Sequence, residues 1–230
     1  MKRIQQILTE LILLIAGISF SSASTLQHEW EKIEKALFLK EWQQAELYFQ
    51  KMVENHITEA DTFFWNQVKV DTPCRLSMAK MLAEYYKHHH DYNKAFVFYN
   101  ELLTQTPHAI ETLLSCAEMK AKSGKTEEAL PLYEQVLLQD SNNLAANIFI
   151  GNYYYFTANK ECKELKHAYQ KLHGPTKMEY ALYREKLSKL VTSGFLKAKK
   201  HLQQALTIFP STEIKKVLQQ IKMIELENEQ

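Results

Sequence analysis

His88, His89 and His90 form the densest set of metal-ligand side chains in the chain. Imidazole is a good ligand for zinc or copper. Neighbouring residues on a helix, however, point to different sides, so three consecutive histidines cannot converge on one ion. The run reads instead as a turn between two helices, with histidine where glycine is usual. Histidines 28, 56, 108, 167, 173 and 201 fall at helix ends or on charged faces, with no spacing that pairs a base with a nucleophile. Cys74, Cys116 and Cys162 are an odd and sparse set, unlike a disulfide framework. Cys116 falls on an apolar helical face and reads as a small core residue. A Cys74–Cys162 bridge stays open. No G-x-S-x-G, H-E-x-x-H, C-x-x-C or P-loop occurs. Most carboxylates sit three or four residues from a lysine, as in Lys160–Glu164 and Glu185–Lys189, which is the pattern of a solvated helix face. The expectation is therefore a non-enzyme with no catalytic residues, no cofactor and no metal.

Such side chains must be positioned by something, and composition says what. The 230 residues include only five glycines and five prolines. So few breakers argue against a β-sandwich or a glycine-rich nucleotide-binding fold and for helices joined by short turns. Twenty-eight basic residues face 27 acidic ones, which gives no overall attraction to nucleic acid. The balance is uneven along the chain. From Thr157 to His201 eleven Lys and Arg stand against four Asp and Glu. That stretch reads as a solvated helical hairpin, with contact to an anionic surface as its functional alternative. No tryptophan or long apolar arc stands opposite its lysines, so an embedded amphipathic helix is not indicated.

The first residues read as an address. Lys2 and Arg3 precede the uncharged stretch Leu11 to Phe20, and Ser21-Ser22-Ala23-Ser24 supplies small residues for cleavage. These are the three parts of a secretory signal, expected over residues 1–24, so the chain is expected to be exported, to the periplasm or another extracytoplasmic place. The apolar run falls short of the roughly 18–20 residues of a membrane span, although an uncleaved anchor stays open. No span is expected after residue 24.

Self-similarity is the strongest signal. Ala95-Phe-Val-Phe-Tyr99 recurs 34 residues later as Ala129-Leu-Pro-Leu-Tyr133. Ala83, Ala117 and Gly151 keep the same step, as do Leu82, Cys116 and Ile150. Ala45 and Phe49 repeat the small-then-large pair early in the chain, and Ala198 and Leu202 repeat it late. A small residue lets antiparallel helices approach, and a large one a turn later fills the space above it. One such pair cannot bury its apolar face alone, so copies must stack. This pattern resembles the tetratricopeptide repeat (TPR) family, best over 76–109 through Leu82, Ala83, Tyr86, Asp91, Tyr92, Ala95, Tyr99 and Pro107. The stretch 110–143 keeps Ala117, Gly124, Ala129 and Tyr133 but has Lys120, Thr126 and Ser141 where aromatic, aromatic and proline belong.

The resemblance implies an all-α, right-handed TPR-like helical-hairpin solenoid. Residues 25–230 would form a single domain, with repeats at about 26–59, 76–109, 110–143 and 144–210 and a capping helix at 211–227. Two steps break the period. Ala45 to Ala95 is 16 residues too long, and the surplus around Asp61 to Asp71 reads as an extra turn of helix or a packed loop, followed by Thr72-Pro73 as a helix start. Ala129 to Ala198 carries 35 extra residues, expected as a helical-hairpin insertion at about 157–192: a charged helix around Asn159 to His173, stopped by Gly174-Pro175, then a second from about Thr176 to Val191. That the helix before it runs on without a break stays open, since no breaker stands between Gly151 and Gly174. Pro131, inside a helix, is expected to bend it without breaking it.

The resemblance also implies a concave groove lined by the first helix of each pair. Carried over by register, its candidates are Trp30, Glu34, Leu37 and Phe38 at one end, with Lys80, Glu84, Lys87, Leu114 and Glu118 in the middle. Ile148, Asn152, Tyr155 and Phe156 stand at the far end. Apolar anchors flanking a charged centre suit an extended peptide or partner helix. The family's lysine–asparagine clamp for a terminal carboxylate is not matched, because Glu84 and Glu118 stand there. The expected function is non-catalytic protein–protein interaction, as an adaptor or scaffold in a bacterial envelope. The alternative is a small-ligand or polymer binder using the aromatic end of the groove and the basic arm.

Overall fold

A computed structural model describes residues 27–229, and every regular element among them is helical. The export signal expected over residues 1–24 lies outside the described residues. The helices are α1 (27–38), α2 (Trp42–Asn55), α3 (Ile57–Gln67), α4 (Arg75–His88), α5 (Tyr92–Gln105), α6 (Ile110–Lys122), α7 (Thr126–Gln139), α8 (Leu144–Gln170), α9 (Lys177–Leu190), α10 (Leu196–Ile208) and α11 (Thr212–Glu229). They group into two compact units, the first ending at Gln105 and the second beginning at Thr106.

In the first unit the small-then-large pairs are core. Ala45, Ala83 and Ala95 are fully buried, with Phe49 and Tyr99 closing over the gaps one turn on. Burying each large side chain contributes about 1.5–3 kcal/mol. The turn after α1 and the turn after α4 share one geometry. Lys40 and His90 both hold φ at 60°. The next residue closes each turn, Glu41 N–H to Ala36 O and Asp91 N–H to Tyr86 O, both at 2.9 Å. This is the left-handed helix ending at which glycine is usual. It explains the histidine run: His88 ends α4, His89 stacks on Tyr85 at 4.0 Å, and His90 turns the chain.

The 16-residue surplus is more than an extra turn. It forms α3, an 11-residue helix whose Phe63 and Phe64 are fully buried. Phe63 takes Trp30 edge-on at 5.2 Å, and Phe64 packs against Phe98 at 5.5 Å. Arg75 lies buried over the Phe64 ring at 4.4 Å, paired to Glu101 at 2.8 Å and donating to the Val68 carbonyl. A second pin joins Asp61 of α3 to the α4/α5 hairpin: Tyr86 OH donates to it at 2.8 Å and Lys94 lies 3.3 Å away. The helix α4 starts at Arg75, two residues beyond Thr72-Pro73. Those two residues form a turn instead, closed by Arg75 N–H to Thr72 O at 2.9 Å.

The second unit opens with α6 and α7, a hairpin turning at Gly124 with φ 81° and closed by Lys125 N–H to Lys120 O at 3.0 Å. Pro131 sits within α7, which runs through it. The 35 surplus residues form the expected helical hairpin, turning at Gly174, and it is continuous with the last pair. They lengthen both helices of the last pair. α8 runs unbroken for 27 residues, because no breaker occurs between Gly151 and Gly174. The return path is α9, a five-residue π-helical segment Val191–Phe195, and α10, with helical backbone through both junctions. Thr176 starts α9 with a capping box: its hydroxyl accepts from Glu179 N–H, and Glu179 accepts from Thr176 N–H.

Two glycines let the long helices touch. A Cβ on Gly151 would lie 2.7 Å from Leu202 Cγ, and one on Gly194 would lie 2.5 Å from Ala158 Cβ. α11 covers this hairpin with Ile214 and Ile221, which join Tyr155, Phe195 and Leu202 in one cluster. Its exposed face carries Glu213, Lys215, Lys216, Gln219 and Lys222, polar as a terminal cap needs, with Met223 and Leu226 also outside.

Candidate functional site

The candidates of the first unit split between packing and surface. Trp30 is half-buried against Phe63, and Glu84 accepts a hydrogen bond from Tyr99 OH at 2.7 Å, so both serve the fold. Glu34 and Lys80 are exposed, and Phe38 is 86% exposed; Leu37 and Lys87 are half-buried. In the second unit Leu114 is half-buried and Glu118 pairs with Lys122 at 2.8 Å. Tyr155 does not join a groove. It is buried against Phe195, and its hydroxyl donates to Gln220 of α11.

Ile148 and Asn152 do come together, in a cleft of about 640 Å³ between α7 and α8. Phe156 joins them, along with Phe149 and Tyr153, which the TPR register did not single out. The signal for those two was present, since 149, 153 and 156 lie at i, i+4 and i+7 and form one stripe of α8. From α7 comes Tyr133, read from the repeat as a filler of space. It does fill space, but one ring face stacks on Phe149 at 4.2 Å, and Phe149 in turn stacks on Tyr153 at 6.5 Å. Thr126 and Glu127, at the start of α7, edge the cleft with a hydroxyl and a carboxylate.

The electrostatics are those of an apolar slot with a polar rim. Burial pushes the Tyr133 phenol up to about 12, and the nearby Glu118 carboxylate adds to the rise. Tyr153 is also raised, first by burial and then by Glu127. Both phenols therefore stay neutral and can donate. Asn152 offers an amide among the rings, and Phe156 is 62% exposed. Such a surface takes apolar or aromatic groups flat against its rings and fixes them by a few hydrogen bonds.

The other reactive side chains are engaged elsewhere. All three cysteines are free and buried, and burial raises the Cys74 thiol to about 11 and the Cys116 thiol to about 12. His201 Nδ1 lies 3.0 Å from Asn147 Oδ1 in a polar hollow between α8 and α10. Among the described residues no group of three or more His, Cys, Asp or Glu is placed to hold a metal ion. No helix among them is long and apolar enough to cross a membrane.

No family model and no curated protein matches the chain. Among solved structures, a protein of Bacteroides ovatus, provisionally described as a protein-binding protein, aligns at 40% identity with a TM-score of 0.77. That alignment covers 88% of this chain and 98% of the other. A TPR-repeat protein of Bacteroides fragilis (14% identity, 86% and 98% covered) has a TM-score of 0.34. TPR-like repeats of a Podospora anserina kinesin light chain candidate (15% identity, 89% and 96% covered) have a TM-score of 0.38. Likeness at those two scores carries no argument. The TPR-like assignment rests on this chain's own 34-residue register and on hairpins that bury its small-then-large pairs. With 40% identity over nearly the whole of both chains, this protein belongs to the family of the Bacteroides ovatus protein, and its helical hairpins are TPR-like.

Proposed function

We propose that this protein is a non-catalytic interaction module that docks a peptide or helix of a partner protein in the α7/α8 cleft. The observation that carries the reading is the aromatic stack of Tyr133, Phe149 and Tyr153 beside exposed Phe156, with Asn152 and Glu127 placed to fix orientation. Aromatic anchors near a few polar groups are the usual centre of an interface. The protein-binding description of the Bacteroides ovatus relative points the same way. The expected export places this activity in the cell envelope.

A photo-crosslinking residue at Phe156 tests the reading, with one at Lys80 as control. A protein captured at 156 is then purified and titrated against the parent chain and the Asn152→Ala/Phe156→Ser double variant. The reading expects at least about a tenfold loss of affinity with unchanged helical circular dichroism, the scale of removing an anchor. Equal affinity for parent and variant overturns it. A second reading is favoured by the cleft's volume, which lies within the roughly 300–1,000 Å³ of small-molecule sites. It expects a sugar or aromatic fragment to raise the melting temperature of the parent and not of the variant.

A further inference from the structure

We infer that the free end of the α8–α9 arm docks on an anionic phospholipid surface, a site separate from the α7/α8 cleft. Every residue from 170 to 182 is exposed, with the Tyr180 ring 6.4 Å from Tyr169 of the same arm. Its exposed apolar side chains are large: Met178 is 83% exposed and Leu182 50%, and Leu172 stands in the turn between the helices.

The two faces of the arm differ. One is held by α11. Tyr183 OH donates to Glu227 at 3.1 Å, Lys166 pairs with the same carboxylate, and Arg184 caps the carbonyls of Glu227 and Asn228. The other face carries Met178, Leu182, Lys186 and Lys189, which lie within one stripe of α9 by their spacing of four, four and three. Lys171 and Lys177 flank the turn. No ion pair joins any of these four lysines among the described residues. The local acids offset them only in part: from 170 to 190 five Lys and Arg stand against Glu179 and Glu185, and Glu161 of α8 edges the hollow that Lys186 and Lys189 line.

Lysines around protruding apolar side chains suit a bilayer. Ammonium groups reach lipid phosphates while their stems and the neighbouring apolar groups enter the headgroup layer. A structured acidic protein would need a surface shaped to Met178 and Leu182, whereas a headgroup layer deforms around such an end.

The test is co-sedimentation of the full chain with phosphatidylcholine vesicles and with mixed phosphatidylglycerol–phosphatidylcholine vesicles. The N-terminal segment carries Lys2 and Arg3 and can favour anionic vesicles by itself, but it is the same in parent and tip variants, so the readout is the difference in vesicle preference between them. Expected is at least about a tenfold preference for the anionic vesicles, lost in high salt. Lys171→Glu/Lys177→Glu should remove most of that preference, and Met178→Ser/Leu182→Ser should reduce it severalfold. Both variants change exposed residues, so unchanged circular dichroism is expected. Equal binding to the two vesicles, or a preference as large in either variant as in the parent, overturns the assignment. Capture on polyglutamate as strong as on vesicles and indifferent to Met178→Ser overturns it in favour of an acidic protein partner. Loss of vesicle binding leaves the cleft proposal untouched, because the Asn152→Ala/Phe156→Ser variant alters neither helix end.

Discussion

The chain departs twice from its 34-residue step, and the two departures end in opposite places. The 16 extra residues of the first unit became α3 and went inside, with Phe63 and Phe64 fully buried. The 35 extra residues of the second unit became an arm whose end is exposed for 13 consecutive positions. Composition decides which. The first surplus contains DTFFWNQVKVD, with enough aromatic surface to repay the entropy of ordering it. The second, 157–192, spreads seven lysines and four glutamates among its apolar residues. Ala158, Cys162, Leu187 and Val191 are therefore buried near its root, while the charged end could not be buried unpaired without heavy desolvation. An insertion in a repeat array thus becomes core or appendage by the same rule that sorts single residues.

The largest test of this contrast is a pair of truncations. Phe64→Ala should cost about 3–5 kcal/mol, because it leaves a cavity under Arg75 and against Phe98. Leu182→Ala, on the arm, should change stability by less than about 0.5 kcal/mol. Urea unfolding followed by circular dichroism measures both. Comparable losses would mean that the arm is as integral as α3, and the contrast would fail.

Next in size is the root of the arm. Gly194→Ala would put a methyl group 2.5 Å from Ala158 Cβ, and pushing the helices apart should cost about 1–3 kcal/mol. Gly174→Ala, at the free end, meets nothing within 4 Å and suffers only from its φ of 74°, a cost of about 1 kcal/mol. A thermal melt in which Gly174→Ala is the more damaging would place the critical contact at the tip instead of the root.

Much of this architecture was legible from residues alone. The 34-residue step located Ala83, Ala95, Ala117 and Ala129, and the small-then-large pair located Ala45 and Ala198, each fully buried, because close helix approach leaves only small residues possible there. The histidine run was readable as a turn for the same kind of reason. The arm's continuity with α10 was not legible. No sequence signal marks a π-helical segment, and Thr192-Ser193-Gly194 looks more like a break than a continuation. The site was read less well. The groove register assumed one lining per helix, yet Trp30, Glu84 and Tyr155 were taken by partners that the repeat itself does not encode: α3, Tyr99 and α11. Ile148 and Asn152 line the cleft because, among the described residues, no extra element fills it.

Smaller effects should separate the turns of the two units. Lys40, His90 and Gly124 hold the same left-handed position, but only Gly124 holds it without strain. His90→Gly should stabilise by about 0.5 kcal/mol, the relief of strain offset by the added freedom of the unfolded chain. Gly124→Ala should cost about 1 kcal/mol. A destabilised His90→Gly would show that the 2.7 Å contact from His90 to Tyr92 OH outweighs the backbone strain.

The smallest effect concerns pH, and again the two units should differ. The polar pin on α3 uses Tyr86, raised to about 12 by burial, and Lys94, raised by its hydrogen bond to Tyr86. Neither changes charge between pH 5 and 8. Its counterpart in the second unit is Asn147 to His201, which joins the first turn of α8 to α10. Asn147 gives its amide hydrogens to the carbonyls of Ser141 and Asn143, so its oxygen accepts from His201 Nδ1–H. Burial, with Lys200 adding, lowers the His201 pKa below its ordinary value of 6.5. The folded state therefore binds fewer protons than the unfolded chain just below pH 6.5. Stability should be complete above that value and decline as pH falls through it, levelling once the folded imidazole also protonates. His201→Gln, which keeps a donor for Asn147 but does not titrate, should flatten the decline of the melting temperature between pH 7 and 5. An unchanged slope in that variant would mean that the acid sensitivity arises elsewhere, and the α8–α10 pin would then be no more pH-dependent than the pin on α3.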